Sequence, residues 1–316
     1  MNQTRKPDQI IVVDDASTDK TFSILKTFGK KIKLVQMPQK GGNKSFVQQY
    51  GMRFITGDVF ITVDADTILD KEFVAQVEKA FKNSHVAAFA GYVKSMKHNW
   101  LTACRELDYV IGQNIHKQAQ GHLNYIYVIP GCAGAFRTNL FKRNISFDHD
   151  TLTEDLDFTY KLHKLGKKIV FERNAIVYTQ DPSTLYSYVN QIRRWYSGGW
   201  QNLLKHKDLP FDRPQTALEL SLVYLEGLLF ASSLFLMPFI NVHLYVTLFA
   251  VYFSTVVLFT LYAVRRSQRW DLLQAIVFMP FLIYVQAFIF LEQFVKEIVL
   301  RKKNLVWFHP ERRAIA

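Results

Sequence analysis

Three long apolar runs close this chain, Leu220 to Phe239, Leu244 to Val264 and Leu272 to Leu291, each long enough to cross about 30 Å of hydrocarbon as a helix. Nothing else in the sequence restricts the fold as strongly, since a bilayer is the usual solvent for that much apolar helix. Within the first two runs the only charge is Glu226, and a carboxylate in an apolar span is costly enough to mark a functional candidate. Pro238, Asn241 and His243 make a short turn between those two runs. Lys205, Lys207 and Arg213 precede this hairpin and Arg265, Arg266 and Arg269 follow it, which puts both of its ends on the cytoplasmic side. The third run breaks the pattern, because Arg301, Lys302 and Lys303 make the tail beyond it basic as well. Either Pro280 turns the run into a re-entrant or tilted segment, or the tail lies outside.

The first two hundred residues have the mixed pattern of a soluble α/β domain. The expected organisation is therefore a domain over 1–212, a helical membrane region over 213–300 with helices near 220–240, 244–264 and 272–291, and a basic tail over 301–316. The formal net charge is +12, and its clusters beside the apolar runs favour membrane lipids as partners. No nucleic-acid motif competes, so nucleic acid is not an expected partner. Cys104 and Cys132 are far apart, without CxxC or metal-like spacing, and fit a reducing cytoplasm rather than a disulfide framework. Met1 to Lys6 is polar and the run after it is only Ile10 to Val13, so no cleavable signal peptide is expected.

Ile10 to Val13 is a β-branched run of the kind that forms a buried parallel strand, and it ends in Asp14-Asp15. Ser17, Thr18 and Asp19 offer N-caps for a helix reaching Phe28, and Lys31 to Met37 reads as the next strand, giving a βαβ signal. Lys40-Gly41-Gly42-Asn43-Lys44 is a glycine-loosened loop ahead of a helix over Ser45 to Phe54, a place where backbone and Lys44 can approach a phosphate. Val59 to Val63 is a second buried strand ending in acid, Asp64-Ala65-Asp66; two carboxylates at that spacing can bring oxygen ligands to one divalent ion. A helix over Phe73 to Phe81 and a strand over Val86 to Val93 follow, the strand delivering Lys94 just past its end. Asn99 to Gln120 reads as a helix and Tyr125 to Ile129 as a strand. Small residues in Pro130-Gly131-Cys132-Ala133-Gly134-Ala135-Phe136 let backbone come close to a ligand, as they would in a plain tight turn.

Thr153-Glu154-Asp155 opens a helix in which Leu156, Tyr160 and His163 share a face and Gly166 supplies the stop. A carboxylate at that start can reach a cleft and take a proton from an attacking hydroxyl. Short strands over Lys168 to Glu172 and Ala175 to Tyr178 lead to a helix carrying Gln191, Arg194 and Trp195 at i, i+3 and i+4. One face thus presents an amide, a cation and a broad ring, a surface suited to a sugar and a diphosphate together.

Taken in order, the Asp14-Asp15 segment, Lys44, Asp64-Ala65-Asp66, Pro130 to Phe136, Thr153-Glu154-Asp155 and Gln191-x-x-Arg194-Trp195 resemble the processive, membrane-embedded, inverting glycosyltransferases, relatives of poly-N-acetylglucosamine, chitin, cellulose and hyaluronan synthases. The tail from Leu305 to Arg312 is similar to the end of the poly-N-acetylglucosamine synthase branch. The resemblance implies an α/β GT-A catalytic domain, Rossmann-like with a mostly parallel sheet, followed by a helical transmembrane region. It implies that Asp14 or Asp15 contacts the uridine of a UDP-sugar, that Asp64 and Asp66 hold Mg²⁺ or Mn²⁺, and that Asp155 is the catalytic base. Arg194 would neutralise the departing diphosphate, with Lys44 and Lys94 as further donor contacts. Gly131, Cys132, Glu154, Gln191 and Trp195 would face the acceptor, Trp195 by stacking.

The expected activity is transfer of N-acetylglucosamine from a UDP-sugar onto a growing polysaccharide, at the plasma membrane, by a multi-pass protein with a cytoplasmic catalytic domain and an accessory membrane subunit as a further partner. Two alternatives stand beside it: single transfer onto a lipid or short acceptor, and an inactive truncated fragment. The second arises because relatives usually begin with a further strand ending in a Pro-x-x-Asn-Glu type segment, after one or more transmembrane helices, and this chain starts beyond both. Asn43 also stands where relatives often have glycine.

Overall fold

In the computed structural model, which describes residues 2–143, 145–212, 214–306 and 308, the β-branched run near the amino terminus forms β1 (Ile11–Asp14). After α1 (Thr21–Lys26) the chain returns as β2 (Lys33–Gln36), parallel to β1, which is the expected βαβ unit. α2 (Lys44–Met52) then leads to β3 (Val59–Thr62), β4 (Thr67–Leu69), α3 (Phe73–Phe81) and β5 (Val86–Ser95). Lys94 therefore lies inside a strand and not beyond its end. α4 (Trp100–Ile111) is capped by Asn99, whose side chain and that of Thr102 form a reciprocal capping box. It runs through a π-helical stretch, Gly112–Lys117, into α5 (Gln118–His122).

Tyr125 to Ile129 does not form the expected strand. Its backbone is satisfied by side chains: Tyr127 N donates to Gln120 Oε1 at 3.0 Å, Ile129 N to Thr159 Oγ1 at 3.0 Å, and the Ile126 carbonyl meets the His163 ring at 2.7 Å. With those groups taken, no strand partner is needed. β6 (Gly134–Arg137), α6 (Glu154–Lys164) and β7 (Lys168–Thr179) complete the sheet. β7 is one strand, irregular where Gly91 and Tyr92 pass Glu172 and Ile176, in place of the two short ones expected.

The order of the larger sheet is β3-β6-β5-β7-β4. The expectation of a mostly parallel sheet needs correction: only β1–β2 and β5–β7 are parallel, while β3–β6, β5–β6 and β4–β7 are antiparallel. The reason lies in α4. It packs on the apolar helices, sharing a core with Ala263, Leu272 and Leu282, rather than carrying the chain back across the sheet, so β6 enters beside the middle of β5, with Gly134 opposite Ala90, and runs the other way.

α7 (Leu185–Lys205) bears the Gln191 to Trp195 motif and is followed by α8 (Leu209–Asp212). Three helices then have the length and apolarity to cross a membrane: Pro214–Ile240, which joins α9 (Pro214–Leu220) to α10 (Glu226–Ile240), α11 (Val242–Ser267), and Trp270–Val299, whose centre is α12 (Gln274–Phe294). Pro280 does not break α12, which is continuous through it. Both ends of this third helix are tied to the sheet domain. At its start Arg269 donates to the Ser95 carbonyl at 2.7 Å; at its end Glu297 accepts from Gln201 Nε2 at 2.9 Å. Between them Trp100 stacks on Phe278, Gln286 donates to the Tyr188 hydroxyl at 2.6 Å and Arg193 pairs with Glu292 at 3.0 Å. α12 thus runs alongside α7, with α10 and α11 on its other side through Phe235, Tyr245 and Phe290. Arg213, Trp307 and residues 309–316, and with them most of the tail that carried a resemblance, lie outside the described residues.

Candidate active site

A cleft of about 2870 Å³ opens at the acidic ends of β1 and β3 and continues past α6 and α7 to the apolar helices. The two aspartates that end β1 have different environments. Asp14 is 2% exposed and absent from the cleft wall; its Oδ2 accepts from Ser17 N at 3.3 Å and Gln36 Nε2 at 3.4 Å, fixing the turn in which Ala16 takes φ +49°. Asp15 lines the cleft, and its Oδ1 accepts from Gly41 N at 2.6 Å, joining the strand end to the glycine loop. Asn43 caps α2 by accepting from Phe46 N at 2.9 Å, a role glycine cannot fill.

Lys44, the first residue of α2, reaches across the cleft to Asp64 at 2.5 Å and Glu154 at 3.5 Å. Burial pulls its ammonium down, but Asp64 and Glu154 outweigh that and hold it well above its ordinary value. Glu154 is raised by its own burial, an effect that Lys44 and Arg194 only partly offset and that Asp155 beside it reinforces. Asp155 Oδ2 accepts from Gly131 N at 3.2 Å. A Cβ at Gly131 would lie 2.7 Å from Lys44 Nζ, so a larger residue there would shift the ammonium from its place between Asp64 and Glu154. Asp64, Asp66 and Cys132 complete this side of the wall.

α7 supplies the opposite wall with Gln191, Arg194 and Trp195. The Gln191 Oε1 atom is buried without a hydrogen-bond partner among the described residues, and Arg194 acts electrostatically on Glu154. Trp195 is held on one side by the Arg105 guanidinium, 4.8 Å from its ring. Lys94 is not brought to the cleft; it sits over the Tyr178 ring at 5.9 Å.

Sequence reasoning missed what joins the two walls. Thr153, immediately before the two acids, abuts Gly198, and Asn202 Nδ2 donates to the Thr153 carbonyl at 3.1 Å and hydroxyl at 2.9 Å. Leu152 N donates to Gln201 Oε1 at 3.0 Å, and Gln201 in turn donates to Glu297 at 2.9 Å, so the end of the third apolar helix is linked to the acidic loop. The available signal was Gly198-Gly199 in mid-helix, which propensity alone disfavours.

Asp64 and Asp66 have the chemistry to hold a divalent cation. Asp64 already binds a positive charge, the Lys44 ammonium, and the remaining ligands of such an ion customarily come from phosphate oxygens and water. Among the described residues the one group of three acids within ligating distance of each other is Asp148, Asp150 and Asp157. Its charge is already met by Lys161 and Lys205, at 2.6 to 2.9 Å, and His206 hydrogen-bonds Asp157 at 2.8 Å, which makes it a structural ion-pair network.

Residues 1–198 match the family model described as glycosyltransferase like family 2. Over 333 aligned residues the chain is 26% identical to a probable glycosyltransferase of Bacillus subtilis, YdaM, covering 96% of this chain and 79% of that protein. It is also 26% identical to an N-acetylglucosaminyltransferase of Azorhizobium caulinodans and to the poly-beta-1,6-N-acetyl-D-glucosamine synthase of Staphylococcus epidermidis, over 60% and 62% of this chain. It spans about half of those two proteins, 51% and 48%. Among solved structures, the mannosyltransferase PcManGT of Pyrobaculum calidifontis, in complex with GDP-Man and Mn²⁺, superposes with a TM-score of 0.60 at 19% identity, covering 88% of this chain and 79% of that one. That likeness shows the GT-A fold, and with the family match over residues 1–198 this chain is a glycosyltransferase and belongs to glycosyltransferase like family 2.

Proposed function

We propose that the chain is a membrane-bound, inverting β-glycosyltransferase that moves N-acetylglucosamine from a UDP-sugar to the end of a growing polysaccharide. The observation that carries this reading is the convergence of Lys44, Gly131, Glu154 and Asp155 in one cleft with Arg194 and Trp195 opposite. Asp155, held by Gly131 N, takes the proton of the acceptor hydroxyl as its oxygen attacks the anomeric carbon. Lys44 and Arg194 stabilise the charge that develops on the departing diphosphate. Attack from the face opposite the leaving group inverts that carbon. Asp64 and Asp66 would hold Mg²⁺ or Mn²⁺, which supplies further charge neutralisation to the diphosphate; the Mn²⁺ bound by PcManGT supports this use of the fold. The named activities of the Azorhizobium and Staphylococcus relatives support the choice of sugar.

The membrane reading assigns crossings to Pro214–Ile240 and Val242–Ser267, and lays Trp270–Val299 along the interface between them and the sheet domain. Contacts of both its ends with that domain favour this arrangement, and it puts Arg265, Arg266 and Arg269 on the same side as Arg301, Lys302 and Lys303. A second reading is single transfer to a lipid acceptor. It is favoured by the far end of the cleft, where Gly227, Phe230, Ala231, Ile283 and Ala287 make an apolar wall at the level of the membrane helices.

The test is UDP release by detergent-solubilised protein against a panel of UDP-sugars, with and without a chelator, beside Asp155→Asn. Release with one sugar that needs the added metal and vanishes in the variant, together with long products, is the expected outcome. Products one sugar longer than the acceptor would select the second reading, and no release with any donor would refute both and leave the inactive fragment.

A further inference from the structure

The helix that follows Asn99 is irregular at one place. It is α-helical to Ile111, widens into a π-helical stretch over Gly112–Lys117 and closes again in α5. Such insertions weaken regular hydrogen bonding and are concentrated at functional sites. This one brings Lys117 to the wall of the cleft.

Lys117 is 8% exposed, and among the described residues its ammonium makes no hydrogen bond or ion pair; it lies over the Phe171 ring at 5.8 Å. Gln113, on the same turn, has its amide committed to the backbone of Val93, at 2.7 Å and 2.6 Å. Burial lowers Lys117 to about 8, with only weak opposition from Cys132 and Asp155. Neither is in ion-pair contact with it, and the Asp155 charge acts only from a distance. Burial pushes the Cys132 thiol up, so it is neutral at physiological pH, and the Asp155 carboxylate is engaged by the backbone N–H groups of Gly131 and Leu156. Asp64 and Glu154, the other acids nearby, face Lys44. The cleft therefore keeps a buried cation without an ion-pair partner among the described residues, and a bound anion would supply one. An ammonium has three donors and no acceptor, and once desolvated it is best matched by a full negative charge.

We propose that Lys117 is a substrate-binding residue whose ammonium takes a phosphate oxygen of an incoming substrate. The proposal rests on the cleft being a glycosyl-transfer site. The phosphate has two sources, the diphosphate of the nucleotide donor or the phosphate of a phosphorylated acceptor.

The full chain in detergent is compared with Lys117→Met, which keeps the apolar stem, and Lys117→Arg, which keeps the charge. UDP affinity is measured by calorimetry, and KM for the acceptor is measured with a short-chain polyprenyl phosphate and with an oligosaccharide. The expected result is a loss on the order of tenfold or more in one of these constants for Lys117→Met, the size of a lost charge-assisted hydrogen bond. Lys117→Arg should recover part of it, and the ligand-free Lys117→Met protein should melt no lower than wild type. Weaker UDP binding assigns the phosphate to the donor; unchanged UDP binding with a raised KM for the polyprenyl phosphate assigns it to the acceptor. Should neither variant fold, modification of wild-type Lys117 by an amine-reactive ester, mapped by mass spectrometry, must be slowed by UDP or by the polyprenyl phosphate. Constants within twofold of wild type in Lys117→Met, or no protection by either compound, overturn the proposal. Wild-type protein without turnover on any donor would instead count against the glycosyl-transfer reading.

Discussion

Replacing Gly198 by alanine tests whether α7 positions Asp155, the proposed base. A Cβ there would lie 2.5 Å from Thr153 Oγ1, 2.7 Å from its Cγ2 and 3.0 Å from its Cβ, all closer than van der Waals contact allows. On helix propensity alone the change would stabilise by about 1 kcal/mol. Overpacking of this kind costs about 1–3 kcal/mol, and the flexible escape is closed. Rotating the Thr153 side chain away breaks the hydrogen bond from Asn202 at 2.9 Å, a further cost of about 1 kcal/mol. The two helices therefore separate, with a net destabilisation of about 1–3 kcal/mol from the sum of these terms. Asp155 lies two residues beyond Thr153, and a displacement near 1 Å at a catalytic group costs about 10²-fold in rate. Gly198→Ala should lower kcat by roughly 10- to 100-fold, leave UDP affinity nearly unchanged and reduce the melting temperature. Thr153 makes no side-chain capping bond to α6, so adding Thr153→Ala removes the overlapping atoms without uncapping that helix and should restore much of the rate. Stopped assays of UDP release and a thermal melt read both quantities. A Gly198→Ala protein with wild-type kcat and a raised melting temperature would refute the reasoning.

Two other outcomes are expected. Single cysteines at Ser267 and at Lys302 should react with a membrane-impermeant thiol reagent from the same face of a sealed vesicle, and one at Asn241 from the opposite face; reaction of Ser267 and Lys302 from opposite faces would mean that Trp270–Val299 crosses the bilayer. Glu106 is buried, which raises its carboxyl to about 7 against the pull of Ser95 N and Arg269. Its folded value exceeds the unfolded one, so its contribution to stability is complete below about 4.5 and is lost as pH rises through about 7. The melting temperature should therefore fall between pH 5 and 7.5, and Glu106→Gln should flatten that decline; an equal slope in the variant would contradict it.

Local pattern carried much of this structure. Short β-branched runs ending in acid became β1 and β3, Phe73 to Phe81 became α3 at its expected bounds, and the three apolar runs became the three long helices, because apolar periodicity and length act within a few residues. The order of motifs likewise sufficed to place the chain among glycosyltransferases. Pattern misread Tyr125 to Ile129, whose apolar content suits a strand but whose backbone partners, Gln120, Thr159 and His163, come from helices around it. It also could not give strand direction, since a parallel or antiparallel neighbour depends on where the preceding helix packs.

The sequence by itself determined most of the elements, the acidic strand ends and the three helices long and apolar enough to cross a membrane, because hydrophobic period and chain length fix these locally. Only the tertiary structure decided that Asp14 holds a turn while Asp15 faces the cleft, that Lys94 stands apart, and that Gln201 and Glu297 connect the third apolar helix to the segment leading into Asp155. Apart from the local bond within the Asp14 turn, these are pairings distant in the chain, 96 residues apart for Gln201 and Glu297, set by which side chains remain without partners when the layers close, and no local pattern encodes them.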